Sequence, residues 1–358
     1  MKKITKMFIF ILTFAVTLSL FAACNRAPAA SEGKYAVTFD YNYEGAPESL
    51  VVKCDEKVDK PEDPVRDGFD FDAWYVDEAC VVPYDFSDSV TGDLTLYAGW
   101  LESGVVYHTV TYDANYEGAV TYTQKVKDDS RAVRPEGIVR EGYELFSWYT
   151  DAACTEEFSF ARDKITADVT LYALWGKVYL FEAENVNFDE LEGPGFSNTA
   201  SGPNMILSDS DGAAQASGGF YVSYLYKNGL ALEFHIVSDK AVDNARLTLR
   251  LSAEVKDFVI NGDTYVVEVN GTSVGYPDIA FTGITSSGTG SGKVRPFTDH
   301  LITASLNLKE GDNVIRLVTN NNEPMGGIMY ATAPMVDCIK ISSVSQLSWG
   351  EGYPIKNK

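Results

Sequence analysis

Glu182 and Glu184 stand two residues apart in the run Tyr179-Leu-Phe-Glu182-Ala-Glu184. In an extended strand, alternate side chains point to the same face, so both carboxylates share one side. Burying two like charges is costly unless a cation compensates them. Ca²⁺ takes about six to eight oxygens from carboxylates and carbonyls, so this pair, joined by a distant aspartate that the fold brings in, would suit it. The other reading is a pair of solvated edge carboxylates. Three histidines, His108, His235 and His300, give little basis for a His-based metal site or a Ser-His-Asp triad. Ser287-Gly-Thr-Gly-Ser-Gly-Lys293 has no Gly five residues before Gly292 and no Ser or Thr after Lys293, so it reads as a flexible loop. Asp209-Ser-Asp211-Gly212 has Leu207 and Gly218 where a helix-flanked calcium loop needs its first and last ligands, and reads as a turn. Carboxylate pairs for glycoside hydrolysis are not excluded by number, since 51 acids are present.

The elements that position these residues belong to a chain of 358 residues, long enough for two or three domains. Apolar residues make up 45% and aromatics 13%, which points to packed, β-rich cores. The net charge of −22 disfavours nucleic acid and anionic membrane surfaces as partners, and favours divalent cations.

Residues 1–23 form a leader: Lys2, Lys3 and Lys6, an apolar run from Met7 to about Phe21, then small residues. Leu20-Phe21-Ala22-Ala23-Cys24 resembles the bacterial lipoprotein box, with Phe21 where Leu is usual. The resemblance implies cleavage before Cys24, acylation of its thiol, and a lipid-bilayer anchor in the bacterial cell envelope, with the chain exposed outside the cytoplasm. No later run approaches the ~18 apolar residues that a spanning helix needs. Residues 24–34 then read as a small-residue tether. Cys54 and Cys80 could bridge within one module, but buried reduced thiols are the simpler reading, because Cys154 repeats the place of Cys80 with no partner of its own.

Internal duplication dominates the first half. Tyr35-Ala-Val-Thr-Phe-Asp-Tyr-Asn-Tyr-Glu-Gly-Ala46 matches His108-Thr-Val-Thr-Tyr-Asp-Ala-Asn-Tyr-Glu-Gly-Ala119, Gly68-Phe69 with Trp74-Tyr75 matches Gly142-Tyr143 with Trp148-Tyr149, and Thr95-Leu-Tyr-Ala-Gly-Trp100 matches Thr170-Leu-Tyr-Ala-Leu-Trp175. Val37/Phe39/Tyr41 and Val110/Tyr112 alternate with polar residues, as half-buried strands do. Trp74, Trp100, Trp148 and Trp175 read as core. Residues 35–100 and 107–176 resemble the internalin-type B (Listeria/Bacteroides) repeat, which implies two small β-grasp-like modules serving as spacer or interaction units.

Residues 177–345 show eight short strand patterns separated by Asn-Gly turns and by Glu310-Gly311-Asp312, the mark of a β-sandwich. Four blocks, Tyr179–Glu184, Ala216–Val222, Leu306–Ile315 and Ala333–Ile339, resemble in order the carbohydrate-binding modules of families 6 and 35. The resemblance implies a jelly roll, a structural Ca²⁺ held by Glu182, Glu184 and Asp337, and a polysaccharide or glycan ligand. It places Met335 where a sugar-binding Asn is common, with Tyr224, Asn228, Tyr276, Arg295 and Tyr330 as neighbouring ligand candidates. Residues 346–358 are left as a tail. The expected fold class is therefore mostly β: two β-grasp-like repeats followed by a jelly-roll sandwich. The expected protein is non-catalytic and surface-anchored, and presents a glycan-binding module on a stalk; the alternative is an adhesive protein that contacts another surface protein.

Overall fold

The computed structural model describes residues 35–44, 50–54, 57–186, 206–209, 215–223, 225, 228–253, 258–281, 296–321 and 333–354. The leader, Cys24 and the tether lie outside these residues. Regular structure among the described residues consists of strands and short 3-10 turns.

Each repeat is a small sheet with one topology. In the first, β1 (Tyr35–Asp40) lies parallel to β4 (Leu94–Glu102), flanked by antiparallel β2 (Leu50–Cys54) and β3 (Phe69–Tyr75). In the second, β5 (Tyr107–Asp113) lies parallel to the start of β9 (Val169–Glu182), flanked by antiparallel β6 (Thr121–Lys127) and β7 (Tyr143–Tyr149), with the two-residue β8 (Glu157–Phe158) beside β7. Residues 57–65 and 131–140 connect the second and third strands as irregular chain, pinned by buried Val58 and Ala132.

Aromatic area compensates for the small cores, as the sequence pattern requires. Trp74 and Trp148 are 1% exposed, packed edge-on against Phe39 and Tyr112. Trp100 and Trp175 each donate an indole N–H to a main-chain carbonyl, of Tyr41 and of Ala114. Asn42 and Asn115 adopt left-handed backbone, at φ 56° and 59°, where asparagine is among the better-tolerated residues. Their amides reach the carbonyls of Ala98 and Ala173. Those same amides also approach the thiols of Cys80 and Cys154, both of which are free, so no Cys54–Cys80 bridge forms.

The repeats and the sandwich meet through specific contacts. Val81 of the first repeat is buried in the core of the second, and Lys127 pairs with Glu102 at 2.8 Å. Strand β9 crosses from the second repeat into the sandwich without a break: its first part pairs with β5 and β7, and its end with β20 (Met335–Ser343). Beside this crossing, Arg246 binds Glu144 and the carbonyls of Leu145 and Phe146, its guanidinium 4.7 Å from the Phe146 ring.

In the sandwich, one sheet runs β16-β15-β19-β12-β21 (Thr272–Val274, Tyr265–Val269, Gly311–Thr319, Ala231–Ser238, Leu347–Trp349). The other is built on β20, with β13 (Val242–Ser252) and then β18 (Thr298–Leu308) on one side, and β9, β11 (Phe220–Val222) and its partner β10 (Ile206–Ser208) on the other, while β14 (Phe258–Ile260) and β17 (Ile279–Phe281) pair as a separate ribbon. Alternation along β12 and β13 sends Leu232, Phe234 and Ile236 against Leu247, Leu249 and Leu251 in one core. The segment expected as a tail is part of this body: Leu347–Trp349 pairs with β12, and Trp349 packs edge-on against Phe181 at 4.9 Å. The apolar area of Trp349 explains its incorporation.

A Cβ added at Gly176 would lie 2.1 Å from the Phe146 ring, which is held beneath Arg246. Gly176→Ala is therefore expected to cost about 1–3 kcal/mol through overpacking. Phe146→Leu in the same chain should restore part of the loss in thermal melts, and a single variant that melts like wild type would contradict this packing.

Candidate functional site: a buried acidic node

The end of β9 delivers Glu182 opposite Cys338 on β20. The chain then tightens into a 3-10 turn, Ala183–Asn185, so Glu184 sits in a turn rather than on the strand, buried at 4% exposure. Asp337, on β20, is fully buried. A second 3-10 turn, Ser217–Gly219, comes against all three carboxylates. Ser217 donates its backbone N–H to Asp337 at 2.9 and 3.1 Å, and its hydroxyl lies 2.9 Å from both Glu182 and Asp337. Gly218 has φ +66°, and a Cβ there would sit 3.3 Å from Glu184 Oε1 and 3.4 Å from Glu182 Oε1. Glycine satisfies both demands at this position: left-handed backbone and room for two carboxylates.

Arg250 approaches from β13. Its Nε lies 2.8 Å from Asp337, and its other nitrogens reach Asp299 and the carbonyl of Gln215. Lys340 binds Asp299 at 2.6 Å on the outer side. Burial pushes the Glu182 carboxyl up to about 7, helped by the charge of Asp337 and opposed by Ser217 and Arg250. Burial also raises the Asp337 carboxyl, against the same two partners.

Among the described residues the acids do not close into a ready three-ligand cluster, because Asp337 is turned toward Ser217 and Arg250. The donor set nonetheless fits a hard divalent cation. All the donors are oxygen, two carboxylates face a side-chain-free glycine, and the buried Glu184 and Asp337 lie beside the half-buried Glu182.

Of the sequence-predicted ligand residues, Met335, Tyr276 and Asn228 are among the described residues. Met335 is 3% exposed in a small cluster with Tyr221 and Phe297, so its side chain fills an apolar core rather than a cleft wall. Tyr276 is half-buried against the main core and donates its hydroxyl to the Tyr265 carbonyl. Asn228 is exposed in a turn. Tyr224, Arg295 and Tyr330 lie outside the described residues. Ser217 and Arg250 were missed by sequence reasoning; only the Ala216-Ser-Gly-Gly block hinted at the former.

Comparison with known proteins identifies the first half. Residues 35–99 and 108–174 each match the Listeria-Bacteroides repeat domain family. The chain carries two such repeats, followed by a β-sandwich. It is 30% identical over 143 residues to a protein named as a Gly-rich membrane protein of Evansella cellulosilytica, covering 40% of this chain and 16% of that one. It is 30% identical over 145 residues to internalin H of Listeria monocytogenes, covering 40% and 25%. The matches thus span a quarter or less of these relatives' lengths. Among solved structures, a family 35 carbohydrate binding module from an environmental isolate aligns at 15% identity, covering 48% of this chain and 97% of that one, with a TM-score of 0.32. A family 35 module from Clostridium thermocellum aligns at 20% identity, covering 47% and 99%, with a TM-score of 0.30. No helix of the described residues is long and apolar enough to cross a membrane.

The raised Glu182 carboxyl gives a pH signature in chelator. The folded state keeps a proton that the unfolded chain releases near 4.5, so this contribution is complete below 4.5 and is lost as pH rises to about 7. Glu182→Gln should flatten that part of the stability profile. An unchanged profile in the variant would show that Glu182 ionises freely in the folded protein.

Proposed function

We propose that this chain is an exported, lipid-anchored surface protein whose two repeats present a calcium-stabilised, glycan-binding sandwich. The observation that carries the reading is the convergence of Glu182, Glu184 and Asp337 on the Ser217–Gly219 turn. These residues would hold the Ca²⁺, with carbonyls of the same turn completing the oxygen set. The ion would supply charge compensation for the buried acids and tie β9, β20 and the Ser217 turn together. The chain's own residues do the rest: Ser217 orients Glu182 and Asp337, and Arg250 fixes Asp337 to β13.

Glycan binding is supported by the order of the four sequence blocks on a sandwich fold and by their junction with surface-type repeats. With Met335 buried, the amide common in related modules is replaced by core packing. A missing buried hydrogen-bond partner typically costs about 1–3 kcal/mol, so the sugar contacts must come from other loop residues. The lipid anchor rests on Cys24 following Leu20-Phe21-Ala22-Ala23. Two or more acyl chains hold a protein at a bilayer where one holds it only weakly.

The test is retention of the mature chain on immobilised acidic and neutral polysaccharides, in calcium and in chelator. Retention by at least one glycan, with its melting temperature raised by calcium, is expected; a ligand at about 100 times its dissociation constant adds about 2.7 kcal/mol. Glu184→Ala should remove the calcium response. In cells, Cys24→Ser should leave the membrane fraction. No retention by any glycan, with a surface protein captured instead, would replace this reading by the adhesive one.

A further inference from the structure

A cavity of about 300 Å³ opens at the joint between the two repeats, away from the acidic node. Its walls come from both modules: Arg66, Phe69, Asp72 and Trp100 from the first, Tyr107 and Lys125 from the second. Arg66, Lys125 and Asp72 are its charged residues, so two cations face one acid in a chain of net charge −22. Asp72 is already engaged by the hydroxyl of Tyr75, which further reduces its hold on any cation. Arg66 is fixed in place by stacking, 3.7 Å from the Phe69 ring and 4.6 Å from that of Tyr43, so its position is set before any ligand arrives.

The duplicated architecture supplies a control. In the second repeat the bulge residue equivalent to Asp72 is Phe146. Its ring packs on Gly176, and the guanidinium of Arg246 lies over it. One joint is therefore filled by an aromatic ring and an arginine from the next module, whereas the other presents a polar, cation-lined space bordered by aromatic rings. An aromatic border with a few directed polar groups is the usual make-up of a small-molecule site, and the excess of cations selects an anion.

We propose that the inter-repeat cavity binds a carboxylate-bearing sugar unit. The carboxylate meets Arg66 and Lys125, a hydroxyl meets Asp72, and a ring face lies against Trp100 or Tyr107. This site stands independently of the glycan reading of the sandwich.

Cys80 is a free, half-buried thiol in the wall of the cavity, and Cys154 is its counterpart in the second repeat, with the same left-handed backbone and the same asparagine contact. Burial pushes the Cys80 thiol up to about 12 and raises that of Cys154 too, so alkylation of both is slow and can be followed by peptide mass spectrometry. The experiment measures both rates in the full mature chain with glucuronate, glucose or inorganic phosphate. At about four times the dissociation constant, glucuronate should slow Cys80 about fivefold by mass action and leave Cys154 unchanged. Glucose and phosphate should do much less. Lys125→Met, on the exposed face of β6, should abolish the protection, measured as the ratio of liganded to unliganded Cys80 rates in the variant itself. The proposal is overturned if Cys80 is unprotected, if Cys154 is protected equally, if phosphate matches glucuronate, or if Lys125→Met keeps the protection.

Discussion

One strand constrains most of this molecule. Val169–Glu182 closes the second repeat, crosses the boundary between modules, and ends by placing a carboxylate in the interior of the sandwich. Leu171, Ala173 and Trp175 feed the repeat core, whereas Phe181 feeds the sandwich core. A register slip of one residue would reverse every one of these assignments, so the two cores fix each other's alignment. Arg246 beside the crossing adds an ionic and cation–π contact that holds Glu144 and Phe146 to the sandwich. The second repeat and the sandwich are thus joined by hydrogen-bonded sheet rather than by a linker.

The acidic node is the energetic consequence of that delivery. Glu182 arrives next to Asp337 in a place with little water, and Ser217 and Arg250 compensate only part of the charge. Buried carboxylates either take up protons or recruit a cation, and the raised Glu182 carboxyl is the protonated alternative. Ser217 and Gly218 suit both outcomes, the one by its hydroxyl and N–H, the other by leaving the space open.

Much of the fold was legible in the residues. Strands β12, β13, β15 and β19 alternate over most of their lengths, and the repeats announce themselves by duplicated Trp-Tyr and Leu-Tyr-Ala segments. Strand β21 was not legible, because its three residues are pinned by contacts of Trp349 with Phe181 and Phe234, more than a hundred residues away. The site was half legible. Glu182 and Glu184 could be paired from spacing, but the turn that begins at Ala183 has no local signal, and Arg250 reaches Asp337 only through the pairing of β13 with β20. The burial of Met335 was not legible for a similar reason: the start of β20 is buried on both faces, so no alternation marks which way its side chain points.

The most direct test of the account is anomalous diffraction from crystals of the mature chain grown in calcium. The account predicts one anomalous peak between Glu182, Glu184 and Asp337, with oxygens at about 2.3–2.6 Å, and Arg250 still bound to Asp337 or displaced toward Asp299. A structure at saturating calcium with no peak there, and with Glu182 still hydrogen-bonded to Ser217 as the only compensation, would contradict it.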